Sequence, residues 1–398
     1  MSEVKQVNHA FRLLSAFAII TVVAGHMNDG GLRFLYRLFP EYQFHLATFI
    51  FIAGYFYSPK AEDAILPYIW KKLLRLMVPM YAWNLVYGVA IHFMKSAGLI
   101  TFGEALSFDS LVVLPLWHGH QFFLTLALWF IPPLFCAEVL HVLLRRVMRT
   151  FVPPRRTALF QETIFFLACL LVGCIGTEMA IRRFNIWWVA LLACKSFIFV
   201  GFLGIGRFYR TVFEAREPAS HWKYFAAILL LQVPLRVYFE KAYGFNLSLT
   251  LSWCPQQEFQ IMGPILPFVI GTLGVLFWLR VCKILTPWIG QNRLADRIGA
   301  HTYAIMTHHL TGALLFKFAL AAIATGLGLS LPNLDVQRIH TDFWYYPVFD
   351  SGRHLQIIYL LVGIAFPLAL QQALARLRDR CTALLPAALR TAGDGRAR

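Results

Sequence analysis

Apolar runs close to twenty residues long recur along almost the whole chain, and that one feature leaves few folds open to it. Ten candidate spans can be placed, approximately 10–27, 44–58, 73–94, 122–144, 159–180, 187–206, 223–240, 260–279, 302–325 and 354–375. Each is near the roughly 20 residues that cross a hydrocarbon core, except the second. That one is short and glycine-bearing, which predicts a helix tilted or partly buried in a bundle. Only 14% of the residues are charged and 59% are hydrophobic, against about 25% charged in an ordinary soluble domain. A soluble chain of this length would need a far more polar surface. The expected fold is all-α: a polytopic membrane helical bundle of about ten transmembrane helices.

The net charge of +16 would suggest nucleic acid in a soluble protein, but its distribution says otherwise. With the N-terminus in the cytoplasm, 25 lysines and arginines fall on the cytoplasmic side and eight on the other, with Lys195, Arg236 and Lys317 left at membrane depth. That asymmetry is the positive-inside pattern. It predicts both termini in the cytoplasm, and topology accounts for the basic balance without a nucleic-acid partner. The head "MSEVKQVNHAF" lacks a small-residue cleavage site, so the first apolar segment is expected to be a retained span. Seven scattered cysteines show neither metal spacing nor a disulfide framework and read as small buried hydrophobes. Residues 1–375 are expected to be membrane-embedded and 376–398 a basic cytoplasmic tail. Any chemistry must then be assembled from helices and their connections, where ionisable groups at membrane depth face cavities.

The first span, "RLLSAFAIITVVAGHMNDGG", puts His26 roughly 24 Å along a helix that starts near residue 10, at the outer rim. Arg12 lies almost four turns earlier on nearly the same face. Asp29, three residues after His26, is a candidate to orient the imidazole. A histidine there suits general acid–base work on a hydroxyl; it also suits a side chain that simply snorkels to water. In "IWKKLLRLMVPMYAW", Lys71, Lys72 and Arg75 cluster where the third span leaves the cytoplasm, and Pro79 frees a carbonyl within the run. Guanidinium and ammonium groups beside such a gap make a phosphate clamp; positive-inside anchoring explains the two lysines as well, but Arg75 less. In "QFFLTLALWFIPPLFCAEVLH", Pro132 and Pro133 are expected to break the fourth span, which buries Glu138. Glu138, Lys195, Arg236 and Lys317 call for partners that spacing does not assign. His301, His308 and His309 lie close together, but no acid or sulfur ligand accompanies them, so no metal site is expected.

Taken in order, these segments resemble the acyltransferase 3 family, polytopic inner-membrane O-acyltransferases of surface and secreted glycans. "AIITVVAGH" is similar to the family's first helix, with His26 at its catalytic histidine. "TFIFIAGYFYS" resembles the second-helix segment, and "KKLLRLMVPMY" places Arg75, Pro79 and Tyr81 at the Arg, Pro and Tyr positions. "ALWFIPPLF" resembles a Leu-Trp-Phe start of a later span. "IGAHTYAIMTHHL" matches the late signature at Thr302, Tyr303 and Ile305, with His309 at or beside its histidine. Two positions depart from the pattern: Ser15 stands where the family carries an arginine, with Arg12 three residues back, and Ala53 replaces a serine before Gly54.

The resemblance implies an acetyl-CoA-dependent membrane O-acyltransferase of the cell inner membrane. Its branch looks nearer the one that acetylates sugars than the one with a fused soluble domain. The donor would bind from the cytoplasm, its phosphates near Arg75, Arg12, Lys72 and Arg293. His26, oriented by Asp29 or another acid, would serve as base on a hydroxyl of a glycan or lipid-linked sugar. The competing class is a transporter or flippase of lipid-linked sugars, which would use the same charges without chemistry.

Overall fold

The computed structural model describes residues 7–27, 38–117, 122–152, 157–184, 188–329, 334–347 and 353–384. Among them every regular element is a helix. The principal ones are α1 (His9–Gly25), α2 (Glu41–Tyr55), α3 (Ile65–Ser96), α4 (Ile131–Phe151), α5 (Ala158–Ile181) and α6 (Trp188–Phe208). They are followed by α7 (His221–Tyr243), α8 (Leu266–Ile289), α9 (Arg293–Ala300), α10 (Thr302–Gly326) and α11 (Arg353–Leu384). Seven of these, α3 to α6, α8, α10 and α11, are long and apolar enough to cross a membrane. The chain is a multi-pass membrane protein.

The three other expected spans are helical too, but differ in kind. α1 has 17 residues and α2 has 15, short of a full crossing at 1.5 Å per residue. α7 has 23 residues but carries Gln232, Arg236 and Glu240, which lower its apolarity. Its Gln232 bonds Gln43 of α2 (2.9 Å) in the core.

Two boundaries correct the sequence reading. The prolines of α4 do not break it: Pro132 and Pro133 sit in its first turn, where a helix needs no N–H from them. A 3₁₀ segment, Leu126–Phe130, leads in. The span expected at 260–279 begins instead at Leu266, because a short helix, Gln256–Met262, ends at Gly263 with φ 67°. That left-handed geometry suits glycine, and Pro267 then starts α8.

α1 is the inner post of the bundle and packs against α2, α8, α9, α10 and α11. α2 lies against α6 so closely that a Cβ at Gly54 would overlap the Leu203 carbonyl, and one at Gly206 the Phe51 carbonyl. Close backbone approach through small residues is how helices associate where lipid supplies no hydrophobic drive. α1 and α2 run in opposite senses. Phe11, near the start of α1, packs with its ring centre 4.0 Å from that of Tyr55, the last residue of α2; Tyr42, near the start of α2, donates to the Gly25 carbonyl at the end of α1 (3.3 Å). His26 and Tyr55 therefore mark opposite ends, roughly 20 Å or more apart by the helical rise.

Candidate functional site

α3 is not α-helical throughout. Residues Leu73–Met77 form a π turn in which Val78 N–H reaches the Leu73 carbonyl. The cause is Pro79, whose ring would clash with the carbonyl four residues earlier, that of Arg75; the wider turn accommodates it. Arg75 thus sits on an irregular turn. It is exposed, and it forms no ion pair among the described residues.

A cavity of about 1790 Å³ connects this turn to His26. At the Tyr55 end its wall carries Lys71, Lys72, Arg75, Glu138, Arg207 and Arg210. At the other end it carries His26, Tyr42 and His45. The imidazole and the basic cluster, which sequence could only place at two rims, face one continuous space.

The cations at the basic end fall into two groups. Lys72 is paired with Glu138 (2.5 Å), whose second oxygen makes no hydrogen bond. Arg207 grips Glu162 through two bonds of 2.8 Å, and Arg145 shares that carboxylate at 2.6 Å. Lys71, Arg75 and Arg210 form no ion pair among the described residues; Arg210 donates to the Tyr55 carbonyl (3.0 Å). With Lys60, which also lines the cavity and forms no ion pair among the described residues, these are the groups open to a phosphorylated ligand.

At the other end, His26 caps α1 with its Nδ1 2.9 Å from the Val22 carbonyl and 3.3 Å from Nε2 of His309. His309, fully buried on α10, has its own Nδ1 within 3.0 Å of the Ile305 and Met306 carbonyls. A carbonyl only accepts, so in each neutral ring Nδ1 carries the proton. His309 Nε2 is then a second acceptor for His26 Nδ1–H beside the Val22 carbonyl, and His26 Nε2 has no hydrogen-bond partner among the described residues. A base oriented by a second group is the arrangement proton abstraction requires. His45 is likewise held by its Nδ1 to the Glu41 carbonyl.

Of the residues singled out from sequence, His26, Lys72 and Arg75 line the cavity. Arg12 does not; it pairs with Asp296 of α9 at 3.4 Å. Arg293 is exposed at the start of α9, away from the lining. Asp29 lies outside the described residues. Sequence reasoning missed His309 as the partner of His26, although the late signature histidine was the available signal. It also missed His45 and Arg210, for which spacing gave none. His308 is turned elsewhere, against the Tyr87 hydroxyl (2.6 Å).

Beyond the spans, Glu258 gives both oxygens to Thr250, to its N–H at 3.0 Å and its hydroxyl at 2.8 Å. Burial pushes this carboxyl above its ordinary range, and the two bonds from Thr250 oppose the shift. They tie down the segment that brings Thr250, Ser252 and Trp253 to the cavity wall.

A multi-pass helical bundle with one continuous cavity, basic at one end and bearing the His26 imidazole at the other, can bring a phosphorylated donor to a hydroxyl acceptor. The family described as "Acyltransferase domain" matches residues 8–370, and the chain belongs to it, the acyltransferase 3 family. None of the curated proteins and none of the solved structures compared matches the chain. Family membership makes acyl transfer, in general, the chemistry of this fold.

Proposed function

We propose that this protein is a membrane O-acyltransferase that moves an acetyl group from acetyl-CoA to a hydroxyl of a cell-surface or secreted glycan, or of its lipid-linked precursor. The observation that carries the reading is the single cavity shared by His26 and by Lys71, Arg75 and Arg210, cations with no ion pair among the described residues. The lysine and arginine distribution puts the basic end at the cytoplasm, where the thioester is made, with both termini on that side of the cell inner membrane. Residues 1–375 form the membrane domain, and 376–398 the basic tail.

Coenzyme A phosphates lie against Arg75, Lys71 and Arg210, with Lys72 held close by Glu138. The pantetheine arm runs up the cavity toward His26. The reading does not call on Arg12 or Arg293. His26 Nε2 takes the proton of the acceptor hydroxyl as that oxygen bonds to the thioester carbonyl carbon. The C–S bond then breaks, and the leaving thiolate takes the proton back. His309, accepting from Nδ1–H, steadies the imidazolium in between; Asp29 is a second group for that role.

The test is His26→Ala in the purified protein, followed by thiol release from acetyl-CoA in the presence of a glycan acceptor. General-base assistance contributes about 10²–10⁴-fold, and a loss of that size with an unchanged unfolding temperature is expected. A variant that transfers at the wild-type rate would remove His26 from the chemistry. A flippase of lipid-linked sugars would show no thiol release in either protein.

A further inference from the structure

Two lysines lie deep in the bundle without an ion pair among the described residues: Lys195 of α6, 2% exposed, and Lys317 of α10, 1% exposed. Ammonium groups at such depth are costly and need partners. Both find them in backbone carbonyls and aromatic faces. Lys195 Nζ approaches the Ser252 carbonyl at 3.4 Å and lies 5.1 Å from the Trp129 ring centre. Lys317 Nζ donates to the carbonyls of Phe343 (2.6 Å) and Tyr345 (3.2 Å), with the Tyr346 ring at 4.6 Å. The two helices differ and so do the two loops, yet the outcome is the same. One lysine holds the residue just before Trp253, the other the residues on either side of Trp344.

Both indoles line the cavity, and both loops belong to its histidine end. Leu249 N–H bonds the Tyr42 carbonyl (3.2 Å), and Tyr42 in turn bonds Gly25, next to His26. Tyr346 packs in one cluster with Val23 and Met27, the residues around the end of α1. Trp253 and Trp344 are 47% and 38% exposed, whereas Trp70, Trp222 and Trp288 are 61%, 70% and 75% exposed and line no part of the cavity. The latter three have the character of a membrane-interface belt; the former two do not.

Charge separates the ends of the cavity as sharply. Every lysine, arginine and glutamate in its described lining belongs to residues 60–75, 138 or 207–210, at the basic end. Around His26 the described lining is aromatic, hydroxyl-bearing and imidazole, together with the apolar Ile19, Val22, Leu46 and Met306, and it carries no lysine, arginine or carboxylate. Such a wall receives an uncharged, hydroxyl-rich ring with a C–H face to lay on indole. A phosphate or carboxylate there would meet no lysine or arginine among the described lining residues.

Resting on the acyl-transfer reading, we propose that Trp253 and Trp344 are the acceptor platform of this enzyme, stacking on an uncharged pyranose so that its hydroxyl meets His26. Lys195 and Lys317 are positioning residues that hold the two indoles through their loop carbonyls. The acceptor ring in the cavity is thus a neutral sugar, and any phosphate or uronic acid of a longer acceptor stays outside.

The experiment uses the full chain in lipid nanodiscs with acetyl-CoA, a panel of neutral methyl pyranosides and the matching methyl uronides. Thiol release gives the kinetics, and saturation-transfer NMR gives binding independently. Trp253→Ala and Trp344→Ala are each expected to raise the pyranoside KM about tenfold without moving the acetyl-CoA KM, and phenylalanine at either position to restore most of the loss. Lys195→Met and Lys317→Met are expected to raise the same KM and to weaken the same NMR signals. Thiol release with an unmoved pyranoside KM in the alanine variants, or a preference for uronides, overturns the platform and leaves the chemistry standing. Absent thiol release, with pyranoside signals that the alanine variants abolish, keeps the platform and sinks the chemistry. Neither release nor signal overturns both.

Discussion

Two sets of cations stand a few turns apart at the basic end, and they have opposite fates. Arg145, Arg149 and Arg207 converge on Glu62 and Glu162, with contacts from 2.6 to 3.5 Å. Lys71, Arg75 and Arg210 face the cavity and meet no carboxylate among the described residues. The first set is closed: its charges are spent on one another, and its function is to join α4, α5, α6 and the short Lys60–Asp63 turn. The second is open to a ligand. A count of basic residues would have merged the two. Acid partners, not basicity, separate a structural cation from a binding one.

The largest effect is expected at Glu162→Ala, which leaves Arg207 and Arg145 buried without their shared carboxylate. Losing one partner of a buried pair costs about 3–5 kcal/mol, and the unfolding midpoint in detergent should fall accordingly. A variant as stable as the wild type would mean that the closed set is not structural.

Next in size is His309→Ala, which removes the side-chain acceptor that His26 Nδ1–H shares with the Val22 carbonyl. A hydrogen bond to a group that becomes charged in the reaction is worth about 1.5–3 kcal/mol, so kcat should fall by about 10- to 100-fold. His309→Gln, whose amide oxygen can still accept, should recover part of it. Equal losses in the two variants would sever His309 from the orientation of the base.

The smallest effect is expected in the open set. Arg75→Ala should raise the acetyl-CoA KM about tenfold while leaving the unfolding midpoint unchanged, the mirror image of Glu162→Ala. An unaltered donor KM would move the phosphate site away from the π turn.

Much of the architecture could be read before the structure, because hydropathy and the positive-inside bias are averaged over many residues. Single events along the backbone escaped that average. The start of α8 was displaced by the turn at Gly263, and the prolines of α4 were read as breaks because composition cannot show that a helix begins just before them. The site divides in the same way. His26 and Arg75 stood out as charged or titratable groups at the edges of apolar runs. The His26–His309 contact joins residues 283 positions apart, and no periodicity within one helix reports a neighbour on another. The lysine straps were visible only as unexplained charges, Lys195 and Lys317, since their partners are carbonyls and every residue has one.

The glycine seam between α2 and α6 has a bearing on the basic end of the cavity, where the proposed donor would enter. Gly54 and Gly206 bring the two backbones together with no room for even a methyl group, so that flank of the tunnel cannot retreat before a bulkier guest. Ile52 and Ala53, carried on the same rigid seam, face the passage. α3, which also lines the basic end, is less buried than α6 and is the wall with more room to shift.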